Sequence, residues 1–162
     1  FDSGWDDGSD TRKKIYKYCD ELVPISALSD FDAACEIRNR HVDVLVELNG
    51  PTQSHRLGIL RFKPAPVLIG YLGWPGSYGG ELVDYIIGDR YTCSSRVAAQ
   101  IPEAILYLEG TYQINDHQNY AVFREGLGRG AKNRDDYSVF RFGAINNINK
   151  LSPTFGMYGC TS

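Results

Sequence analysis

The fold is decided by residues 63–89, which read KPAPVLIGYLGWPGSYGGELVDYIIGD. Two apolar runs in this stretch, at 67–72 and 82–87, predict buried strands because β-branched and aromatic residues dominate both. The turn between them is rich in glycine: Gly73, Gly76, Gly79 and Gly80. In an open α/β sheet, a ligand binds beside such a turn at the carboxyl end of a strand. Glycine also lets a ligand approach the backbone closely, since no Cβ atom intervenes.

The rest of the first 114 residues alternates predicted helices with predicted strands. The helices are predicted at 11–18, after Ser29, at 55–61 and at 95–100. The strands are predicted at 21–25, 42–48, 67–72, 82–87 and 104–108. This alternation at short spacing is typical of βαβ units, so we expect an α/β fold with a Rossmann-like parallel sheet and flanking helices.

The helix after Ser29 has the clearest signals. The Ser29 hydroxyl is a good N-cap, and Asp32 stands three residues on, in the capping-box position. The apolar face is predicted to carry Phe31, Ala34, Cys35 and Arg38, with Ile37 beside them. Cys35 is therefore expected to be a core thiol. In the following strand, one face is predicted to carry Val42, Val44, Val46 and Leu48.

Composition excludes several classes of partner. The chain has 162 residues and a formal net charge of −3, which gives no attraction to nucleic acid or to an anionic membrane. No segment approaches the ~20 apolar residues of a membrane span. The four cysteines show no CxxC spacing, so we expect no zinc site and a reduced, cytoplasmic compartment. The acidic start is not a signal peptide, and the missing initiator Met indicates a fragment.

Two weaker motifs have structural explanations. Residues 30–32 read DFD, a DxD motif of the kind that can bind a metal ion, but helix capping and the helix dipole account for both carboxylates here. No metal is therefore expected. The histidines His41, His55 and His117 are candidate general bases, and each stands at a joint or loop where a structural role is the simpler interpretation.

The periodicity changes after residue 114. Residues 115–136 are rich in glycine and charge and are predicted to form a connector. Residues 137–145 predict a new strand, followed by the polar run NNINK at 146–150. The chain ends at Ser162, so we expect 137–162 to be the truncated start of a second domain.

Several motifs occur in one order along the chain: DGS at 7–9, DVLVELNG at 43–50, PAP at 64–66, YLGWPG at 71–76, DYIIGD at 84–89, TYQIND at 111–116, and NNINK at 146–150 with Pro153. Together they resemble the catalytic region of the O-linked N-acetylglucosamine transferases, glycosyltransferase family 41, especially its bacterial members. The resemblance implies a partial GT-B fold. Residues 1–114 would be the later half of the first Rossmann-like domain, and 137–162 would open the second, nucleotide-binding one.

The resemblance also implies a reaction. Family members transfer N-acetylglucosamine from UDP-N-acetylglucosamine to Ser or Thr hydroxyls of a protein acceptor, without a metal or other cofactor, and a tetratricopeptide region usually precedes the catalytic region. Because GT-B chemistry takes place between two domains, the 162 residues alone are expected to be inactive. The alternative is a non-catalytic α/β interaction module or a degenerate fragment.

Five residues match family positions that bind the donor. Lys150 matches the lysine that binds the UDP diphosphate, where it would stabilise charge on the leaving group as the catalytic residue. Asn147 matches a nearby glutamine. Leu72, Gly73 and Pro75 match the turn that packs on the donor sugar. A solvated surface lysine and a purely structural turn are the competing interpretations.

Overall fold

The computed structural model describes residues 1–115, which coincide with the first of two compact units in the chain. The four strands are β1 (Val44–Glu47), β2 (Val67–Gly70), β3 (Tyr85–Asp89) and β4 (Ala104–Leu108). They form one sheet in the order β1-β2-β3-β4, and every neighbouring pair is parallel. The predicted α/β class and parallel sheet are confirmed. The predicted domain boundaries after 114 and 136 stay predictions, and the connector and the strand at 137–145 lie outside the described residues.

The helical elements are α1 (Asp10–Tyr18), α2 (Asp30–Asn39), a 3-10 helix (Leu57–Phe62) and α3 (Ser95–Ala98). The helix predicted at 55–61 is thus a 3-10 helix. It ends at Lys63, which adopts a left-handed conformation with φ of 46° just before Pro64. Proline lacks an N–H group and cannot continue a helix, which explains the stop. Within the described part of the chain, no helix has the length and hydropathy to cross a membrane.

Two strand predictions need correction. The strand predicted at 21–25 is wrong, because only a single bridge joins Asp2 to Pro24 there. Pro24 has no amide hydrogen with which to extend a ladder. The strand predicted at 82–87 begins later, at Tyr85, where pairing with Ile69 of β2 starts. Val83 is buried in the core ahead of the strand, which is why its apolar run extends beyond the ladder.

Helix α2 begins as predicted, and its buried face agrees with the predicted one at Ala34 and Ile37 but not at Phe31 and Cys35. Ser29 accepts a hydrogen bond from the Asp32 amide, as expected of an N-cap. Its buried residues are Ala33, Ala34 and Ile37. Phe31 is exposed and packs edge-on against Phe62, with ring centroids 5.3 Å apart, and Cys35 is only half-buried. The prediction of Phe31 on the core face and of Cys35 as a core thiol is therefore wrong, because Ala33, Ala34 and Ile37 form the face that packs in the core.

The core of residues 1–115 consists of two apolar clusters that share neighbours at and just before β1. One cluster contains Leu57, Leu60, Ala65, Leu68, Tyr78, Val83 and Ile86. The other contains Val23, Ile25, Ala33, Ala34, Ile37 and Ile59. Val42 and Leu45 pack against both clusters. Leu45 therefore faces the core, whereas its neighbours Val44 and Val46 lie exposed on the opposite face of β1. The 3-10 helix contributes to both clusters, through Leu57 and Leu60 in the first and Ile59 in the second.

Candidate functional site

The segment of interest follows β2 and is called the β2 loop, residues 71–80. It leaves the sheet at the carboxyl end of β2, as the sequence predicted. Leu72 there has a φ of 69°, in the left-handed region. A residue with a Cβ atom pays about 1–2 kcal/mol for this conformation, so the surrounding structure must hold it. Leu72 and Trp74 are partly exposed, at 37% and 39%, and give the loop an apolar surface that solvent reaches.

Gly73 packs directly on the backbone that follows β1. Its amide donates hydrogen bonds to the carbonyl oxygens of Leu48 and Tyr71, both at 3.0 Å. A Cβ atom at this position would collide with the Leu48 carbonyl oxygen, so only glycine fits. The N–H group of Gly73 is therefore used inside the protein. A ligand at this turn would meet its Cα and carbonyl group instead.

Trp74 and Pro75 complete the outer part of the β2 loop. The Trp74 indole donates to the Ser77 carbonyl at 3.2 Å, and its Cβ atom packs against Gly50 in the turn after β1. Pro75 lines a small cavity of about 40 Å³ together with residues of β3 and Tyr112. Three residues of this loop are predicted to bind the donor, and all lie at the carboxyl edge of the sheet: Leu72, Gly73 and Pro75.

Glu47 links the β2 loop to the turn after β1. It is the last residue of β1, and its carboxylate accepts the amides of Asn49 at 2.9 Å and Gly50 at 2.6 Å. The same carboxylate accepts the Tyr78 hydroxyl at 3.0 Å. Burial and the negative charge of Glu47 raise the pKa of Tyr78, so its hydroxyl stays protonated and remains a donor.

Glu103 holds the far end of the β2 loop. It is 5% exposed, and its Oε1 accepts hydrogen bonds from the amides of Tyr78 at 2.7 Å and Gly80 at 3.0 Å, and from the Ser77 hydroxyl at 3.0 Å. Its Oε2 is buried and has no hydrogen-bond partner among residues 1–115. Three donors converging on one buried carboxylate oxygen fix the backbone of this segment.

Asp89 performs a similar task at the end of β3. It is 1% exposed, and it accepts the amides of Tyr91 at 2.9 Å, Thr92 at 2.8 Å and Tyr112 at 2.8 Å. These hydrogen bonds, led by that from Thr92, lower the pKa of Asp89. The Tyr71 hydroxyl in turn donates to the Tyr112 carbonyl at 2.8 Å. The loops after β2, β3 and β4 are thereby tied together at one edge of the sheet.

Sequence reasoning missed Glu47, Glu103 and Asp89 as organising residues. An acidic residue two positions before the Asn49–Gly50 turn is a usable signal for Glu47, because a carboxylate at a strand end can accept the amides of the following turn. Glu103 has no such signal, since its donors lie more than twenty positions earlier in the chain.

The weaker sequence candidates have structural partners. Asp30 pairs with Arg56 at 2.6 Å, and Asp32 accepts the Ser29 hydroxyl at 2.6 Å, so both carboxylates of the DxD motif are engaged. Within residues 1–115, no group of three or more His, Cys, Asp or Glu side chains could hold a metal ion. His41 is an exposed left-handed residue after α2, and the ring of His55 accepts the Leu57 amide.

The remaining predicted site residues, Asn147 and Lys150, lie outside the described residues, as does His117. Their predicted roles therefore stay predictions. In the described part, the β2 loop carries no titratable side chain other than its two tyrosines. Its strained apolar turn and backbone groups suit the binding of a neutral, hydroxyl-bearing ligand rather than proton transfer.

Comparison with known proteins identifies the family. Residues 2–149 match the model of Glycosyl transferase family 41. The chain is 29% identical over 153 residues to the Arabidopsis thaliana protein named "Probable UDP-N-acetylglucosamine--peptide N-acetylglucosaminyltransferase SEC", covering 91% of this chain and 15% of that protein. It is 32% identical over 112 residues to the Caenorhabditis elegans UDP-N-acetylglucosamine--peptide N-acetylglucosaminyltransferase, covering 68% of this chain and 10% of that protein.

A solved structure supports the fold. A mutant of the Thermobaculum terrenum O-GlcNAc transferase superposes with a TM-score of 0.61 at 24% identity, over 64% of this chain and 20% of that one. The expected partial GT-B fold is confirmed by this likeness for the described residues. The chain spans only about 15% of the length of the Arabidopsis relative. The match to the family model covers nearly the whole sequence, and the chain belongs to Glycosyl transferase family 41.

Proposed function

We propose that this chain is part of a glycosyltransferase that takes N-acetylglucosamine from UDP-N-acetylglucosamine, and that its β2 loop contacts the donor sugar. The observation that carries this proposal is the turn at Leu72 and Gly73. A strained residue at the carboxyl end of a central strand is a feature that proteins keep at ligand sites. The named relatives use the same donor according to their descriptions.

The chemistry of the β2 loop suits a sugar. The partly exposed side chains of Leu72 and Trp74 offer apolar surface to the C–H groups of a sugar ring. The carbonyl groups of the turn are acceptors for sugar hydroxyls, and the packing of Gly73 on the Leu48 carbonyl fixes where those groups lie. No charged side chain in the loop would have to be desolvated when a neutral sugar binds.

The diphosphate would be bound by residues outside the described part. We propose that Lys150 stabilises the negative charge of the UDP leaving group, with Asn147 as a neighbouring donor. A lysine in this role performs the electrostatic task that a metal performs in other enzymes, so the proposed reaction needs no metal. The proposed acceptor is a Ser or Thr hydroxyl of a protein.

The remaining details of the proposal rest on the family alone. A tetratricopeptide region before the catalytic region, a cytoplasmic location and a particular resemblance to the bacterial members all stay predictions. The curated relatives compared above come from a plant and a nematode.

Isothermal titration of the chain with UDP-N-acetylglucosamine, and separately with UDP, tests the proposal. We expect weak binding, on the order of millimolar, with the sugar nucleotide bound more tightly than UDP. Lys150→Ala should weaken both ligands equally, because both carry the diphosphate. Lys14→Ala, which removes an exposed lysine from α1, is the matched control and should change neither affinity. Equal affinity for UDP and the sugar nucleotide would contradict the role of the β2 loop.

The second candidate is a non-catalytic α/β module. The described residues form one four-stranded sheet, whereas GT-B chemistry takes place between two domains, and this favours the second candidate for the described residues taken alone. Both candidates predict no turnover by these 162 residues alone in a transfer assay with UDP-N-acetylglucosamine and a Ser/Thr peptide mixture. The titration described above separates them, because only the first candidate predicts that the sugar nucleotide binds more tightly than UDP. Measurable turnover would contradict the second candidate.

A further inference from the structure

Tyr78 connects two carboxylates, one at the end of β1 and one immediately before β4. Its hydroxyl donates to Glu47 at the end of β1, and its backbone amide donates to Glu103 immediately before β4. We call this arrangement the Glu47–Tyr78–Glu103 link. It joins the turn after β1, the β2 loop and the start of β4, three segments that are remote in sequence. The β2 loop is therefore held at one end by Gly73 on Leu48 and at the other end by this link.

The side chain of Tyr78 is tightly packed. The Tyr78 ring lies against Gly70, the last residue of β2, where any Cβ atom would collide with the ring. The Tyr78 side chain is buried, at 6% exposure, and belongs to the apolar cluster beneath the sheet. A hydrogen bond from a buried phenol to a carboxylate is charge-assisted and is among the stronger kinds in proteins. Glu47 carries that bond in addition to the Asn49 and Gly50 amides.

Glu103 is the second anchor of the β2 loop. Its Oε1 accepts three donors, all from residues 77–80. Three hydrogen bonds that converge on one carboxylate oxygen fix the backbone of this part of the loop. The other end of the loop packs on Leu48 through Gly73.

We propose that Tyr78 and Glu103 are positioning residues for sugar recognition. They hold the β2 loop against the turn after β1, so that Leu72 and Gly73 keep the shape that distinguishes the sugar nucleotide from the free nucleotide. This inference rests on the proposed function, in which the β2 loop contacts the donor sugar. Neither residue needs to touch the ligand.

The test uses Tyr78→Phe in the full chain. Phenylalanine keeps the ring on Gly70 and removes only the hydroxyl. We expect the preference for UDP-N-acetylglucosamine over UDP to fall by up to about tenfold in this variant. Tenfold is about the scale of one charge-assisted hydrogen bond. Amide hydrogen exchange at Gly50 and Gly73 should accelerate in the same variant. The Gly50 amide donates to Glu47, which also accepts the Tyr78 hydroxyl, and the Gly73 amide donates to Leu48 in the same turn. Tyr107→Phe is the matched control, because its hydroxyl donates to the Cys93 carbonyl instead.

Glu103 supplies a second test that does not depend on Tyr78. Glu103→Gln keeps an accepting oxygen and should preserve the sugar preference, whereas Glu103→Ala should lose it. If Tyr78→Phe and Glu103→Ala both fold and keep the preference of the unmodified chain, the inference is overturned while the proposed function stands. If the unmodified chain has no preference for the sugar nucleotide, the proposed function itself is contradicted, and the inference falls with it.

Discussion

The amide nitrogen of Gly73 lies 3.0 Å from the carbonyl oxygen of Leu48, and this hydrogen bond fastens the β2 loop to the end of β1. The two residues belong to segments that neighbour each other at the carboxyl edge of the sheet because β1 and β2 are parallel and adjacent. The close approach requires a residue without a Cβ atom. The shape of the predicted sugar-binding turn is thus set by its contact with the neighbouring strand end.

Gly73→Ala should destabilise the chain. The added methyl group would collide with the Leu48 carbonyl, and relieving that collision costs about 1–3 kcal/mol of unfolding free energy. Urea denaturation followed by circular dichroism measures the change. Gly4→Ala is the control, because the nearest side-chain atom to a Cβ there is at 3.4 Å. Equal stabilities for Gly73→Ala and the unmodified chain would show that the turn is not held on β1.

Leu72→Gly should separate stability from binding. Glycine adopts the left-handed conformation without strain, so we expect the substitution to leave stability within about 1 kcal/mol of the original or to raise it. The apolar surface offered to the sugar is lost, so UDP-N-acetylglucosamine should bind more weakly. Thermal denaturation and ligand titration give the two readouts.

His41→Gly is the matched substitution for Leu72→Gly. His41 also has a left-handed conformation, with φ of 54°. It follows α2, is exposed, and is remote in sequence from the β2 loop. It should gain about 0.5–1 kcal/mol of stability and leave ligand binding unchanged. Weaker sugar binding by both variants would mean that the effect of Leu72→Gly is not local.

Ser29→Ala should cost about 1 kcal/mol of global stability, because it removes the N-cap of a helix with three buried residues. Ser9→Ala removes an equivalent cap from α1, which buries no residue. The second substitution should therefore fray α1 with less than about 0.5 kcal/mol of global effect. Urea denaturation of both variants measures the difference, and equal losses would contradict the burial of α2.

The contribution of Asp89 should disappear in acid. Its pKa in the folded chain is below the ordinary value of 3.8, so the charged form stabilises the fold above that pH, and the contribution is lost as the pH falls through the lowered pKa. Asp89→Asn should therefore be least stable relative to the unmodified chain at neutral pH. The difference in unfolding free energy between Asp89→Asn and the unmodified chain should become smaller below pH 3.8.

Stability measured from pH 7 down to pH 3 tests this prediction. Asp20→Asn, which changes an exposed aspartate, is the control and should follow the unmodified chain throughout. A constant gap between Asp89→Asn and the unmodified chain at every pH would show that the charge of Asp89 is not what stabilises these loops.

Local chemistry made the overall fold predictable from sequence. The signals that predicted it each depend on residues close together in sequence. They are the Ser29 cap, the prolines after the 3-10 helix and the alternation of apolar runs with caps. Errors arose where tertiary packing decided the outcome. Phe31 was predicted to be buried, but it packs on Phe62 at the surface, and the apolar run before Tyr85 turned out to precede its strand.

The candidate site was predictable only in its glycine-rich turn. The turn residues stand together in sequence, so their position at a strand end followed from the pattern. The partners of Tyr78 are 31 and 25 positions away, and no sequence periodicity connects them. Residues that stabilise a loop but are remote from it in sequence can be identified only in the folded structure, where the parallel sheet brings their strands together.

The central claim is that the β2 loop contacts the sugar of the donor. Two-dimensional ¹H–¹⁵N NMR of the chain, titrated with UDP-N-acetylglucosamine and separately with UDP, tests it most directly. The account predicts that the amide resonances of Leu72 and Gly73 shift with the sugar nucleotide and stay in place with UDP. Resonances of the β2 loop that remain unchanged at saturating UDP-N-acetylglucosamine would contradict it.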